Sequence, residues 1–122
     1  MKLSDAGLAD RKRWQDSGYE LPVFDRSLAR QATIKDPIWI HFGAGNIFRA
    51  FPAALQQKLL DAGDSDKGII VREGYDYEII HRLYKPYDDL CLLVVLKPDG
   101  RIEKKVIASI MESLAADTQA PS

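Results

Sequence analysis

Apolar positions along this chain change spacing several times, and each change predicts an element. Residues 4–17 carry Leu8 and Trp14 as a thin helical stripe, with Ser4 or Asp5 placed to cap the start and Gly18 to stop it. Residues 19–24, interrupted by Pro22, read as extended chain. Asp25 then caps a second short helix through about residue 31, with Leu28 and Ala32 on one side. Residues 38–42 follow Asp36-Pro37 and are apolar apart from His41, which predicts a parallel strand covered by helices on both faces. A helix begins at once after Gly45 and runs to about residue 62. Phe48, Phe51, Ala54 or Leu55, Leu59 and Leu60 recur at spacings of three and four as its sheet-facing stripe. Pro52 falls within the first two turns, where a missing N–H costs least, and Gly63 ends the helix before a solvated loop at 64–67.

Residues 68–74 predict a second strand with Glu73 at its C-terminal edge, which completes a strand, glycine turn, helix, strand unit. Residues 76–84 form a short helix carrying Ile79, Ile80 and Leu83. Residues 90–96 are a strand apolar on both faces, Pro98-Asp99-Gly100 is a turn, and residues 101–110 alternate apolar with charged positions. That is an antiparallel hairpin. Residues 111–116 start a further helix. The fold class is therefore α/β, a partial Rossmann-like nucleotide-binding domain with an appended antiparallel β-hairpin and short N-terminal helices. The predicted division is an N-terminal helical appendage at 1–35, a partial dinucleotide-binding domain at 36–116 and a disordered tail at 117–122. The appendage precedes the first strand, so it lies outside the fold's repeating unit and serves as surface decoration, or else as interdomain packing or substrate closure.

Composition narrows the partners. The chain has 122 residues with 46% apolar content, enough for one modest core. With 17 basic against 18 acidic residues, no broad electropositive surface argues for nucleic acid or an anionic membrane. A single cysteine, Cys91, forbids an internal disulfide and suits a reducing compartment. No apolar run approaches the roughly 20 residues of a membrane span, and the start lacks a signal-peptide core, so the expected location is cytoplasmic.

The chemistry concentrates at Gly43-Ala44-Gly45, between strand and helix. Gly43 admits backbone angles that a side chain forbids, and Gly45 leaves room for a pyrophosphate beside the main chain. The helix N-terminus then faces the anion with free N–H groups. Asn46 lines the turn as a cap or a cofactor contact. Arg49 sits in the first helical turn, where the dipole disfavours a cation, so its placement suggests a phosphate or a partner carboxylate. Glu73, and beside it Asp76, are the carboxylates suited to the adenosine ribose hydroxyls, while Arg72 would instead welcome a 2′-phosphate. The same two carboxylates also read as solvated loop residues. Phe48 stands where a dinucleotide fingerprint places its third glycine, which implies a wider or tilted helix. His41 reads as a satisfied core residue, His81 as structural or exposed, and Cys91 as a packed thiol. No metal-ligand spacing, Ser-His-Asp order, GxSxG elbow or Walker-type lysine is present.

The run His41-Phe42-Gly43-Ala44-Gly45-Asn46-Ile47-Phe48-Arg49-Ala50 resembles the N-terminal fingerprint of the mannitol dehydrogenase family. These are polyol-specific long-chain dehydrogenases/reductases, including fructuronate and tagaturonate reductases. Phe48 and Arg49 fit that fingerprint where they depart from a standard one. Ile107-Ala108-Ser109-Ile110 is similar to the family's I-x-S-I segment, and Leu3-Ser4-Asp5-Ala6-Gly7-Leu8 to the opening of some members. The resemblance covers roughly residues 36–115.

It implies that Gly43, Gly45, Asn46, Phe48 and Arg49 approach the pyrophosphate of NAD, or of NADP, with Glu73 and Asp76 near the adenosine ribose. It also implies that the catalytic lysine lies in a separate helical C-terminal domain, since members are several times longer, so no catalytic residue is carried over. The expectation is the N-terminal NAD(P)-binding part of an oxidoreductase that moves hydride between nicotinamide and a polyol or sugar acid. Such a fragment is inactive alone and self-associates through the apolar run 90–96. Two alternatives remain, a non-catalytic nucleotide- or protein-binding module and a methyltransferase-like fold using S-adenosylmethionine. The Phe48-Arg49 pair and the hairpin after only two strands count against the second.

Overall fold

The computed structural model describes residues 1–115. The first predicted helix divides at Asp10. A 3₁₀ turn (Gly7–Ala9) comes first, with the Ser4 hydroxyl accepting from the Gly7 N–H at 2.9 Å. Helix α1 (Arg11–Asp16) then starts on an Asp10 cap. Trp14 is buried and donates its indole N–H to the Gly7 carbonyl at 3.0 Å, which ties the two turns together. Gly18 ends α1 at φ +89°, and strand β1 (Tyr19–Glu20) follows.

Helix α2 (Arg26–Lys35) is capped by Asp25, whose side chain accepts from the Leu28 N–H at 3.0 Å. It runs past the expected end and buries the opposite face. Arg26, Ala29 and Thr33 point inward, while Leu28 is exposed. The reason is that two of the inward groups are polar with backbone partners. The Thr33 hydroxyl bonds to the Ala29 carbonyl and accepts from the Gly68 N–H, so a search for an apolar stripe selects the wrong side.

Strand β2 (Ile40–Phe42) leads to helix α3 (Asn46–Ala50) and helix α4 (Pro52–Asp61). The single helix predicted here breaks at Phe51, because Pro52 lacks the N–H needed to continue and instead opens a new first turn. The break rotates the stripe. Phe48, Ala53, Gln57 and Leu60 are buried, whereas Phe51, Leu55 and Leu59 are exposed. Gly63, at φ +77°, stops α4 as expected. Strand β3 (Ile69–Glu73) follows, then helix α5 (Tyr77–Ile79), which widens into a π turn (Ile80–Tyr84) and tightens to a 3₁₀ turn (Lys85–Tyr87). Asp88 and Asp89 both have positive φ, 53° and 64°, and turn the chain into the hairpin of β4 (Cys91–Leu96) and β5 (Ile102–Ile107).

Residues 111–115, predicted as the start of a helix, are strand β6 (Ile110–Ala115). It pairs in parallel with β3, which joins β2 on its other side. The resulting order β2-β3-β6 is that of one three-stranded half of a Rossmann fold. A second sheet, β1-β5-β4, combines the expected antiparallel hairpin with β1 added in parallel to β5.

Gly68 is required where β3 meets β6: a Cβ there would lie 2.2 Å from the Ser109 carbonyl oxygen. The main core gathers Ala44, Phe48, Ile69, Val71, Tyr84 and Ile107, among others, and a second cluster forms around Trp14, Leu21 and Leu90. One expectation about β2 is corrected. Its outward positions Ile40 and Phe42 are exposed, as is Ile38 just before it, so helices cover one face of this strand and leave the other bare. The tail expected at 117–122 lies outside the described residues, among which no helix is long and apolar enough to cross a membrane.

Candidate functional site

At the end of β2 the Gly43 N–H still reaches the Arg72 carbonyl (2.8 Å), and the backbone then turns out of the sheet at φ +111°. Only glycine adopts that conformation without strain. Ala44 comes next and is fully buried. Its N–H donates to Glu73 Oε1 at 2.9 Å, and its carbonyl accepts from the Tyr84 hydroxyl, also at 2.9 Å. The middle residue of the turn is thus held from both sides. Gly45 is extended (φ −75°, ψ 179°) and serves as N-cap of α3. A Cβ built on either Gly43 or Gly45 would meet no atom within 4 Å, so both sit against open space. The first intrahelical bond runs from the Arg49 N–H to the Gly45 carbonyl (3.2 Å), which leaves the N–H groups of Asn46, Ile47 and Phe48 without helical acceptors.

The predicted side chains divide into two groups. Gly45, Asn46, Arg49 and Asp76 line one cleft of about 480 Å³, together with Arg82. Phe48 does not reach it, because its ring is buried and stacked on His41 with centroids 4.2 Å apart. That stacking explains how a phenylalanine occupies the third-glycine position. It fills the space between helix and strand that a glycine would have closed. Asn46 does not cap α3 but accepts from the Arg49 guanidinium with its Oδ1. The Arg49 guanidinium also lies over the Tyr84 ring at 5.7 Å, and its Nε is buried without a hydrogen-bond partner among the described residues.

Glu73 is engaged more heavily than its sequence position suggests. Beyond Ala44, its Oε2 accepts from the N–H groups of Tyr75 (3.1 Å) and Asp76 (3.4 Å). These donors, the Ala44 N–H foremost, hold its carboxyl below the usual carboxylate range. Burial pushes the Cys91 thiol up to about 11, the opposite of an activated nucleophile. His81 is exposed and His41 is packed between Trp39 and Phe48. Among the described residues no group of His, Cys, Asp and Glu is placed to hold a metal ion.

Sequence reasoning missed Tyr84 entirely. A signal was present: Tyr84 follows Ile80 at helical spacing, and both are buried.

No family model matches the chain. D-mannonate oxidoreductase of Thermotoga maritima is 47% identical over 121 residues, which is 99% of this chain and 22% of that protein. Mannitol 2-dehydrogenase of Pseudomonas fluorescens, solved as a ternary complex with NAD and D-mannitol, superposes over 95% of the chain with a TM-score of 0.75 and 26% identity. Over nearly its whole length the chain is similar to an N-terminal portion of these dehydrogenases. A substrate-free D-sorbitol dehydrogenase gives the same TM-score of 0.75 at 21% identity, a likeness of fold. The chain spans 22% of the length of each of these relatives.

Proposed function

We propose that this chain is the NAD-binding part of an oxidoreductase that moves hydride between a nicotinamide cofactor and a polyol or sugar acid. The observation that carries the reading is the open glycine turn, facing a cleft lined by Arg49 and Asp76, in a chain 47% identical to a D-mannonate oxidoreductase. The residues present fit the pyrophosphate of a dinucleotide. Gly43 and Gly45 leave the main chain accessible, and the N–H groups of Asn46, Ile47 and Phe48 precede the first intrahelical bond of α3. Arg49 brings a guanidinium whose Nε still lacks an acceptor.

In this reading Phe48 contributes its backbone N–H rather than its ring. Asp76 and Glu73 stand toward the adenosine ribose, where carboxylates disfavour a 2′-phosphate and so favour NAD over NADP. The bound nicotinamide supplies the hydride chemistry. What this chain does is bind and orient the dinucleotide, while the groups that hold the sugar and move its proton come from the larger part of the relatives that it does not span. Residues 36–116 form the cofactor unit, and residues 1–35 are fastened to it through Arg26, which donates to the carbonyls of Ala108 (3.1 Å) and Ile110 (2.9 Å).

Calorimetric titration with NAD, NADP and S-adenosylmethionine tests the proposal. Saturable NAD binding stronger than NADP binding, with no turnover of mannitol, fructuronate or mannonate, is the expected result. Binding of S-adenosylmethionine alone, or of none of the three, would refute it.

A further inference from the structure

We propose that Tyr84 is a positioning residue for the glycine turn, setting through its hydroxyl the backbone angle at which Gly43 and Gly45 meet a dinucleotide. The inference rests on the cofactor reading above. Ala44 is the one residue of the turn whose side chain is buried, so the flanking glycines take their orientation from how its peptide groups are held. Its N–H is fixed by Glu73 and its carbonyl by the Tyr84 hydroxyl (2.9 Å), and the two restraints come from different elements, β3 and the π turn.

The same ring does a second job. Its face lies 5.7 Å from the Arg49 guanidinium, which lines the cleft, so one side chain locates both the main chain and the cation offered to the anion. The wide turn at Ile80–Tyr84 has a matching consequence. The extra residue per turn directs Tyr84 into the core, while Arg82, in the same turn, stays on the cleft. Packing alone would be served by phenylalanine, and the hydroxyl is what phenylalanine lacks.

The test is Tyr84→Phe in the full chain, which keeps the ring and its contact with Arg49. Amide hydrogen exchange in the ligand-free protein is expected to rise about tenfold at Gly43 and Ala44, the two turn amides that are hydrogen-bonded, the loss of roughly one buried hydrogen bond, with β3 and β6 unchanged. NAD affinity is expected to fall by about the same factor in calorimetry, because the turn must be reordered on binding. Unchanged exchange at the turn overturns the proposal, as does raised exchange with unchanged NAD affinity. Outright unfolding of the variant overturns it too, since the hydroxyl would then support the whole fold and not the turn. Failure of the wild-type chain to bind NAD refutes the cofactor reading instead, and the exchange measurement still decides whether Tyr84 sets the turn.

Discussion

Three backbone N–H groups converge on the Glu73 carboxylate, from Ala44, Tyr75 and Asp76. All three are donors, so the site wants two acceptor oxygens. Glu73→Gln supplies one oxygen and one NH₂, and either orientation sets donor against donor. The variant is expected to melt lower than wild type at neutral pH and to bind NAD more weakly. The pH dependence has a definite sign. The carboxyl titrates below its ordinary value of about 4.3 when folded, so its contribution is fully present above that value and is lost as pH falls through the lower folded one. Thermal melts between neutral and acid pH should therefore show a steeper acid limb for wild type than for Glu73→Gln; parallel limbs would contradict this account. The open glycine turn after β2 and the place of Glu73 at the end of β3 were legible in the sequence, because a strand that passes at once into a helix needs open backbone at the bend. The double restraint on Ala44 was not legible, because it depends on Tyr84 arriving from 40 positions away. Phe48 was legible as a departure from the fingerprint, but only its stacking on His41 shows what replaces the missing glycine.

Strand β6 shows why some elements could not be read locally. Residues 111–115 become a strand because β3 offers a parallel edge and the residues between β5 and β6 are clamped on every side. Gln57, fully buried on α4, donates to the Val106 carbonyl at 2.8 Å and accepts from the Ala108 N–H. The Ser109 hydroxyl bonds to the Ala53 carbonyl at 2.6 Å, and its own carbonyl accepts from the Ile69 N–H at 2.9 Å. Buried glutamine, serine, threonine and arginine dock these elements through backbone groups, which is why stripes drawn through apolar residues missed the inner faces of α2 and α4. The hairpin, the βαβ order and the helix stops were legible because turn glycines and strand periods act locally. Two substitutions measure the clamp by urea denaturation. Gln57→Leu keeps the volume but strands a carbonyl and an N–H in the core, an expected loss of about 2–4 kcal/mol. Gly68→Ala forces a methyl against the Ser109 carbonyl at the β3–β6 junction, with an expected loss of about 3 kcal/mol. A loss under about 1 kcal/mol for either would show that the junction relaxes freely.

Arg26 joins the N-terminal segment to the sheet from the inside, with its guanidinium bonded to the carbonyls of Asp88, Ala108 and Ile110 and paired with Asp5. One face of the protein is thereby closed, and another is left open. Among the described residues β2 is bonded to β3 alone, so its far edge offers unpaired N–H and C=O groups. Along the bare face of that strand Ile40 is 51% exposed and Phe42 72%. The hairpin adds a second bare row at Leu92, Val94 and Leu96. Self-association was expected from the run at 90–96. The structure adds β2 to it as a second candidate, since among the described residues β2 and β4 are each an edge strand paired on one side only and each carries an exposed apolar row. Light scattering should show a mass that rises with concentration. Ile40→Lys combined with Phe42→Lys should lower that mass, because a charge on an edge strand disfavours pairing with a second edge. Leu92→Lys combined with Val94→Lys tests the edge of β4 in the same way. A monodisperse wild-type monomer would remove the premise, and a monomer produced by one pair alone would assign the contact to that edge.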